Sequence, residues 1–83
     1  MKITIFHHES APTSAWVYLS TPELGEQLLV LLHGSKKILE ADKFGGHNPL
    51  QLFVKFNPCF TDDDCQAEIE RLYNDIHTEL VID

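Results

Sequence analysis

The chain has 83 residues, of which 43% are hydrophobic and 23% are charged, and its formal net charge at pH 7 is −7. This length supports one domain with a thin hydrophobic core, because such a chain buries only about 60% of its unfolded surface. The lack of a membrane-length apolar run, of a signal-peptide core and of a disulfide framework predicts a single soluble, cytoplasmic domain over residues 1–83.

The N-terminal part of the chain carries two strand patterns. Residues 2–7 (KITIFH) alternate in the manner of a strand that is at least partly covered on both faces. Residues 8–14 hold polar residues and a proline, which predict a connection. Residues 15–19 (AWVYL) predict a second strand, antiparallel to the first. Its alternation defines two faces, formed by Ala15, Val17 and Leu19 on one side and by Trp16 and Tyr18 on the other.

A helix is predicted next, ending before Gly34. Its start is marked either by Thr21 as N-cap with Pro22 at the first helical position, or by a capping box of Ser20 and Glu23. Its apolar positions form an unusually broad stripe, which predicts burial against the sheet and against a second subunit. The stripe consists of Leu24, Leu28, Leu31 and Leu32, widened by Leu29 and Val30.

The middle of the chain is predicted to contain a second pair of strands. Residues 37–41 (KILEA) favour a short strand, because the turn-rich residues 42–49 (DKFGGHNP) follow them. Residues 50–56 (LQLFVKF) predict the clearest strand, with Leu50, Leu52, Val54 and Phe56 on one face. With a C-terminal helix, the order ββαββα predicts an α+β fold, in which two helices pack mainly on one face of an antiparallel sheet of about four strands.

The C-terminal segment predicts an amphipathic, acidic helix. Thr61 and Asp64 have the spacing of a capping box, and Phe60 and Cys65 that of a hydrophobic staple. Three aspartates in the first turn are favoured by the positive end of the helix dipole, by about 0.3–1 kcal/mol each. The predicted apolar stripe consists of Cys65, Ile69, Leu72, Ile76 and Leu80, with Tyr73 beside it.

The excess negative charge lies entirely in this last third. Residues 57–83 contain eight acids and one base, Arg71, whereas residues 1–56 contain five acids and five bases. At 100° per residue, some of the acids fall on one flank of the apolar stripe and others on the opposite flank. The first flank carries Asp64, Glu68, Asp75 and Glu79, and the second carries Asp63 and Glu70. These acids form either an ordinary solvated face or a surface for a Lys/Arg-rich groove on a partner.

Other kinds of site find little support in the sequence. Cys59 and Cys65 are separated by five residues, which is wider than common zinc-ligand pairs, and no metal or cofactor is predicted. Cys59 precedes a predicted helix N-terminus, a position that can activate a thiol, but no partner base is identified. Trp16 and Tyr18 lack the basic surroundings of a nucleic-acid platform, so we expect them to serve as anchors for a protein partner or as core.

We therefore predict a small acidic, non-enzymatic protein-binding module that acts through its C-terminal helix. In size and charge, though in no motif, the chain resembles phage-encoded or mobile-element inhibitors of host defence, such as anti-CRISPR and DNA-mimic proteins. This resemblance implies a partner with a basic groove that handles nucleic acid, with no direct contact between the chain and nucleic acid or membrane. The main alternative is a structural or regulatory homo-oligomer, such as a dimer, formed through the leucine-rich helix or the Trp16/Tyr18 face. A third is a thiol- or metal-dependent enzyme using Cys59.

Overall fold

The computed structural model describes residues 1–7 and 13–82, with the side chains of residues 77–82 excepted. The order of its elements is ββαββα, so the predicted α+β fold is confirmed. The elements are β1 (Lys2–Phe6), β2 (Ser14–Tyr18), α1 (Pro22–His33), β3 (Ile38–Phe44), β4 (Asn48–Phe56) and α2 (Asp62–Ile82). The predicted connection between the first two strands falls largely outside the described residues.

The four strands form one antiparallel sheet in the order β1-β2-β4-β3. The two central strands, β2 and β4, therefore come from different hairpins, and α1 connects β2 to the edge strand β3. α1 packs against β3 and β4, while α2 lies beside α1 and reaches β1. Both helices thus cover one face of the sheet and leave the other face without a helix in the described part of the chain.

The core lies between this face and the helices. The two faces predicted for β2 are confirmed, since Ala15 and Val17 are fully buried whereas Tyr18 is exposed. On α1, Leu28 and Leu32 are fully buried. Val30 is 70% exposed, so this chain alone does not cover the full width of the leucine-rich stripe.

The second hairpin is tighter than the sequence predicted. β3 extends to Phe44 and β4 starts at Asn48, because the turn occupies only residues 45–47. Gly45 and Gly46 adopt φ angles of 64° and 82°, a left-handed conformation that glycine reaches without a steric penalty. The strand pairing predicted to end at residue 41 therefore continues for three residues more.

Both helix starts follow the predicted capping chemistry. The Thr21 hydroxyl accepts a hydrogen bond of 3.3 Å from the backbone N–H of Leu24, so Thr21, and not Ser20, is the N-cap of α1. At α2, the Thr61 hydroxyl accepts from the Asp64 N–H, and the Asp64 carboxylate accepts from the Thr61 N–H, each at 3.2 Å. This reciprocal pair is the predicted capping box.

Candidate functional site

The open face of the sheet carries a cluster of aromatic side chains centred on Trp16. The Trp16 ring stacks on Phe6 at 6.1 Å between centroids and meets Phe53 and Phe44 edge-on at 5.3 Å and 5.8 Å. Tyr18 lies on the same face of β2. We call this surface the aromatic face and define it by Phe6, Trp16, Tyr18, Phe44 and Phe53.

Much of this surface remains in contact with solvent. Phe44 is 48% exposed and Tyr18 is 36% exposed, while Phe6, Trp16 and Phe53 are partly buried, in part by one another. A contiguous aromatic patch of this kind is unusual on a surface that contacts only water. The aromatic face is therefore the strongest candidate for a binding surface in the described part of the molecule.

The sequence predicted only part of the aromatic face. The sequence pattern places Trp16 and Tyr18 on one face, as anchors for a partner or as core, whereas the turn-rich residues 42–49 predict a turn at Phe44. Phe53 is not part of that prediction, because the pattern of its strand is dominated by the opposite, aliphatic face. The alternation of Gln51, Phe53 and Lys55 was the available signal for a second, partly aromatic face.

The charged side chains on the same face are few and balanced. Among the described residues they are Lys2, Lys55, Glu40 and Asp42. Each of these residues is paired in the sheet with a residue whose side chain also lies on this face. The Lys55 ammonium lies 3.9 Å from the Glu40 carboxylate. Lys2 stands on the β1 edge of the sheet, whereas Asp42 and Glu40 stand on the β3 edge. The face therefore lacks the positive field that would attract nucleic-acid phosphates.

Most of the predicted acidic residues of α2 are exposed. Asp63, Asp64, Glu70 and Asp75 all face solvent. Asp64 is also engaged in the capping box, and the Glu70 carboxylate accepts a hydrogen bond of 3.2 Å from the Gln66 side chain. The side chain of Glu79 lies outside the described residues.

Glu68 is a correction to the predicted acidic row, because it is only 5% exposed. Its carboxylate accepts hydrogen bonds from the Ser35 hydroxyl at 2.6 Å and from the Arg71 guanidinium at 2.9 Å and 3.1 Å. The bonds from Arg71, and secondarily the one from Ser35, hold the pKa of Glu68 below its usual value despite burial. Glu68 thus stabilises the contact between α2 and the α1–β3 connection, and its carboxylate is not available to a partner.

The neighbouring charges explain how a buried carboxylate is tolerated here. Arg71 pairs with Glu68 through two of its guanidinium nitrogens, and the third lies 3.6 Å from the Asp75 carboxylate. Buried charges require such partners, since an unpaired buried carboxylate is strongly disfavoured. The result is that the row from Asp64 to Glu79 is interrupted at its second member.

The two cysteines occupy different environments. Cys59 is exposed, whereas Cys65 is buried in the core under α2. Burial, together with the nearby Asp62 and Asp64 carboxylates, raises the pKa of Cys65 to about 11, so its thiol remains protonated at neutral pH. No cluster of three or more histidine, cysteine or acidic side chains suited to a metal ion occurs within the described ranges.

A small apolar groove lies between the two helices. It has a volume of about 210 Å³ and is lined by Gln27, Val30 and Leu31 of α1 and by Ile76 of α2. The exposed Val30 forms part of its wall. The groove is smaller than the roughly 300–1,000 Å³ of typical ligand pockets, so the aromatic face remains the stronger candidate.

The fold and these surfaces define a small α+β sandwich with one sheet face covered by helices and one open. Comparisons with protein-family models, with curated proteins and with solved structures returned no match. Within residues 1–7 and 13–82, no helix is long and apolar enough to cross a membrane.

Proposed function

We propose that this protein is a non-enzymatic, cytoplasmic protein-binding module whose principal contact surface is the aromatic face. The observation that carries the proposal is the Trp16-centred cluster on a sheet face that the helices leave open. Tryptophan and tyrosine are enriched among the residues that dominate binding energy in protein interfaces. Their large, rigid side chains bury much apolar area at a small cost in conformational entropy.

The chemistry of the remaining residues favours binding over catalysis. Cys65 is held as a neutral thiol by burial. Among the described side chains, no hydrogen bond or ion pair joins the exposed Cys59 to a base, and activation of a thiol needs such a neighbour. The proposed activity is therefore recognition of another polypeptide.

Site-specific photo-crosslinking in cells tests this proposal. Tyr18 is replaced by the photoreactive amino acid p-benzoylphenylalanine, and the same replacement at Lys36 serves as the control, because Lys36 is exposed in the α1–β3 connection away from the aromatic face. We expect a discrete protein adduct from position 18 that position 36 does not form. The absence of an adduct at position 18, or the same adducts from both positions, would refute the proposal.

The charge of α2 favours a second candidate function, which is the capture of a basic protein that handles nucleic acid. The net charge of −7 belongs entirely to residues 57–83, and Asp63, Glu70 and Asp75 are exposed along α2. Acidic side chains along a helix complement a Lys/Arg groove and accelerate association electrostatically. Inhibitors of host defence from phage and mobile elements, including the anti-CRISPR and DNA-mimic types, act on targets of this kind.

A matched pair of charge variants tests the second candidate. The triple variant Asp63→Asn, Glu70→Gln, Asp75→Asn should lose capture of a basic partner, and high salt should release that partner from the wild type. The control Glu23→Gln, Glu26→Gln, Glu40→Gln removes the same charge from exposed acids elsewhere and should retain capture. Equal capture by both variants would show that the acidic side chains of α2 form an ordinary solvated face and do not bind the partner.

A further inference from the structure

We propose that the aromatic face binds a second copy of this chain, giving a homodimer in which the two sheets pack face to face about a twofold axis parallel to the strands. This inference rests on the proposed function, because it names the occupant of the same face. It makes the aromatic face a self-complementary interface, as a twofold-symmetric contact requires.

The strand order provides the first argument. β2 and β4 are the central strands and β1 and β3 the edges, so a twofold axis along the strands lays β2 over β4 of the second copy. Trp16 and Phe53 are directly opposed across the β2–β4 pair and therefore stand at the same height along the axis. The axis then places the Trp16 of each copy over the Phe53 of the other copy. The aromatic rings therefore form the centre of the contact.

The charges at the sheet edges provide the second argument. The same axis lays β1 of one copy over β3 of the other, which brings the exposed Lys2 towards the exposed Asp42. Lys2 pairs with Tyr18 and Asp42 with Phe53, so the two charges are offset by two residues, or about 7 Å along the strands. A lysine side chain can bridge that offset. The symmetry creates the pair twice, which makes the otherwise neutral face electrostatically complementary to itself.

The location of the excess negative charge provides the third argument. All of it belongs to residues 57–83, and α2 lies on the helix-covered side of the sheet. Stacked sheets lie about 10 Å apart and a helix layer adds about 10 Å on each side, so the two acidic helices would be about 30 Å apart. This separation exceeds the Debye length of about 8 Å at physiological ionic strength. A sheet-to-sheet dimer therefore avoids the repulsion that other arrangements of two acidic chains would create.

The size of the face sets the expected affinity. Four strands of about five residues cover a projected area of roughly 300 Å², which is less than the roughly 800 Å² that each partner buries in a standard interface. An interface below the standard size is typical of transient contacts, so we expect a reversible dimer that forms at micromolar to millimolar concentrations, not a permanent one.

Association is measurable directly, because Trp16 is the only tryptophan in the chain. Analytical ultracentrifugation across that concentration range should show a shift from monomer to dimer. Trp16 emission should move to shorter wavelength over the same range, as the indole leaves water. A chain that stays monomeric up to about 1 mM, or that dimerises with unchanged Trp16 emission, would refute the proposed interface.

A charge exchange tests the symmetry of the contact. Lys2→Glu alone and Asp42→Lys alone should each weaken self-association about tenfold, since each places like charges at both edge contacts. An equimolar mixture of the two variants should associate as well as the wild type or better, because both contacts then pair opposite charges. Lys36→Glu and Glu23→Lys are controls for the same change of net charge away from the face and should leave association unchanged. A mixture no better than its components would refute the twofold arrangement.

Photo-crosslinking at position 18 and the measurement of self-association together distinguish this inference from the proposed function. An adduct from position 18 with a different protein, in a chain that does not self-associate, would support a protein-binding face and refute the second copy as its occupant. Neither adduct nor self-association would refute both. A change in Trp16 emission on adding a single-stranded oligonucleotide, without self-association, would also refute both and reassign the face to nucleic acid.

Discussion

The hydroxyl of Ser35, in the connection between α1 and β3, donates a hydrogen bond of 2.6 Å to the carboxylate of Glu68 in α2. The two residues are 33 positions apart, and their contact joins the α1–β3 connection to the first half of α2. The same hydroxyl oxygen accepts a hydrogen bond of 3.3 Å from the Lys37 N–H. Glu68 therefore stabilises the packing of α2 and does not contribute to its acidic surface.

Replacing Glu68 with alanine should lower the free energy of unfolding by about 1–3 kcal/mol, because the Ser35 hydroxyl and the Arg71 guanidinium lose their common acceptor. Urea unfolding followed by circular dichroism would measure the change. Glu70→Ala is a suitable control, since Glu70 lies exposed on the same helix and its removal should change stability by less than about 0.5 kcal/mol. Equal effects of the two substitutions would contradict the structural role of Glu68.

The stabilisation by Glu68 should depend on pH. Its pKa is lower in the folded than in the unfolded chain, so the unfolded chain binds more protons around that pKa and stability rises with pH there. The contribution should be complete above the ordinary pKa of a glutamate in an unfolded chain, about 4.3, and should be lost as the pH falls through the lower folded value. The stability difference between wild type and Glu68→Gln, measured from pH 7 to pH 3, should shrink towards acid. A constant difference would contradict this linkage.

Gly25 should resist substitution although it lies within a helix. A Cβ atom at this position would overlap the backbone carbonyl of Pro49, because α1 approaches β4 closely there. Gly25→Ala should therefore destabilise the protein by about 2 kcal/mol or more, despite the helix propensity of alanine. Gly34→Ala is the matched control, since its nearest contact would be 3.6 Å away and Gly34 has a right-handed φ of −86°. It should be neutral or slightly stabilising in thermal unfolding.

The two thiols should react at different rates. At pH 8, a disulfide reagent such as DTNB should modify one thiol of the native protein rapidly and the second only after denaturation. Cys59 is exposed, whereas Cys65 is buried with a pKa of about 11. Cys59→Ser should remove the fast reaction and Cys65→Ser should preserve it. Two fast thiols in the native wild type would show that α2 opens readily from the core.

Several features of the fold were predictable because they depend on short stretches of chain. The capping residues Thr21, Thr61 and Asp64 act within three positions of their partners, and the pattern of the sequence was sufficient to identify them. The alternation along β2 likewise predicted that Val17 and Tyr18 lie on opposite faces, although the burial of the Val17 face depends on where the helices pack. Element order follows from the same local periodicities.

The order of the elements, the helix caps and the concentration of negative charge in residues 57–83 can therefore be predicted from local sequence patterns. The burial of Glu68 depends on the packing of the elements, because Ser35 approaches its carboxylate from the connection after α1. Only the tertiary structure decided that Phe44 and Phe53 join Trp16, since the cluster requires the Gly45–Gly46 turn and the β2–β4 pairing. Periodicity within one element shows which side chains share a face, whereas contacts between elements depend on register and packing that no single segment specifies.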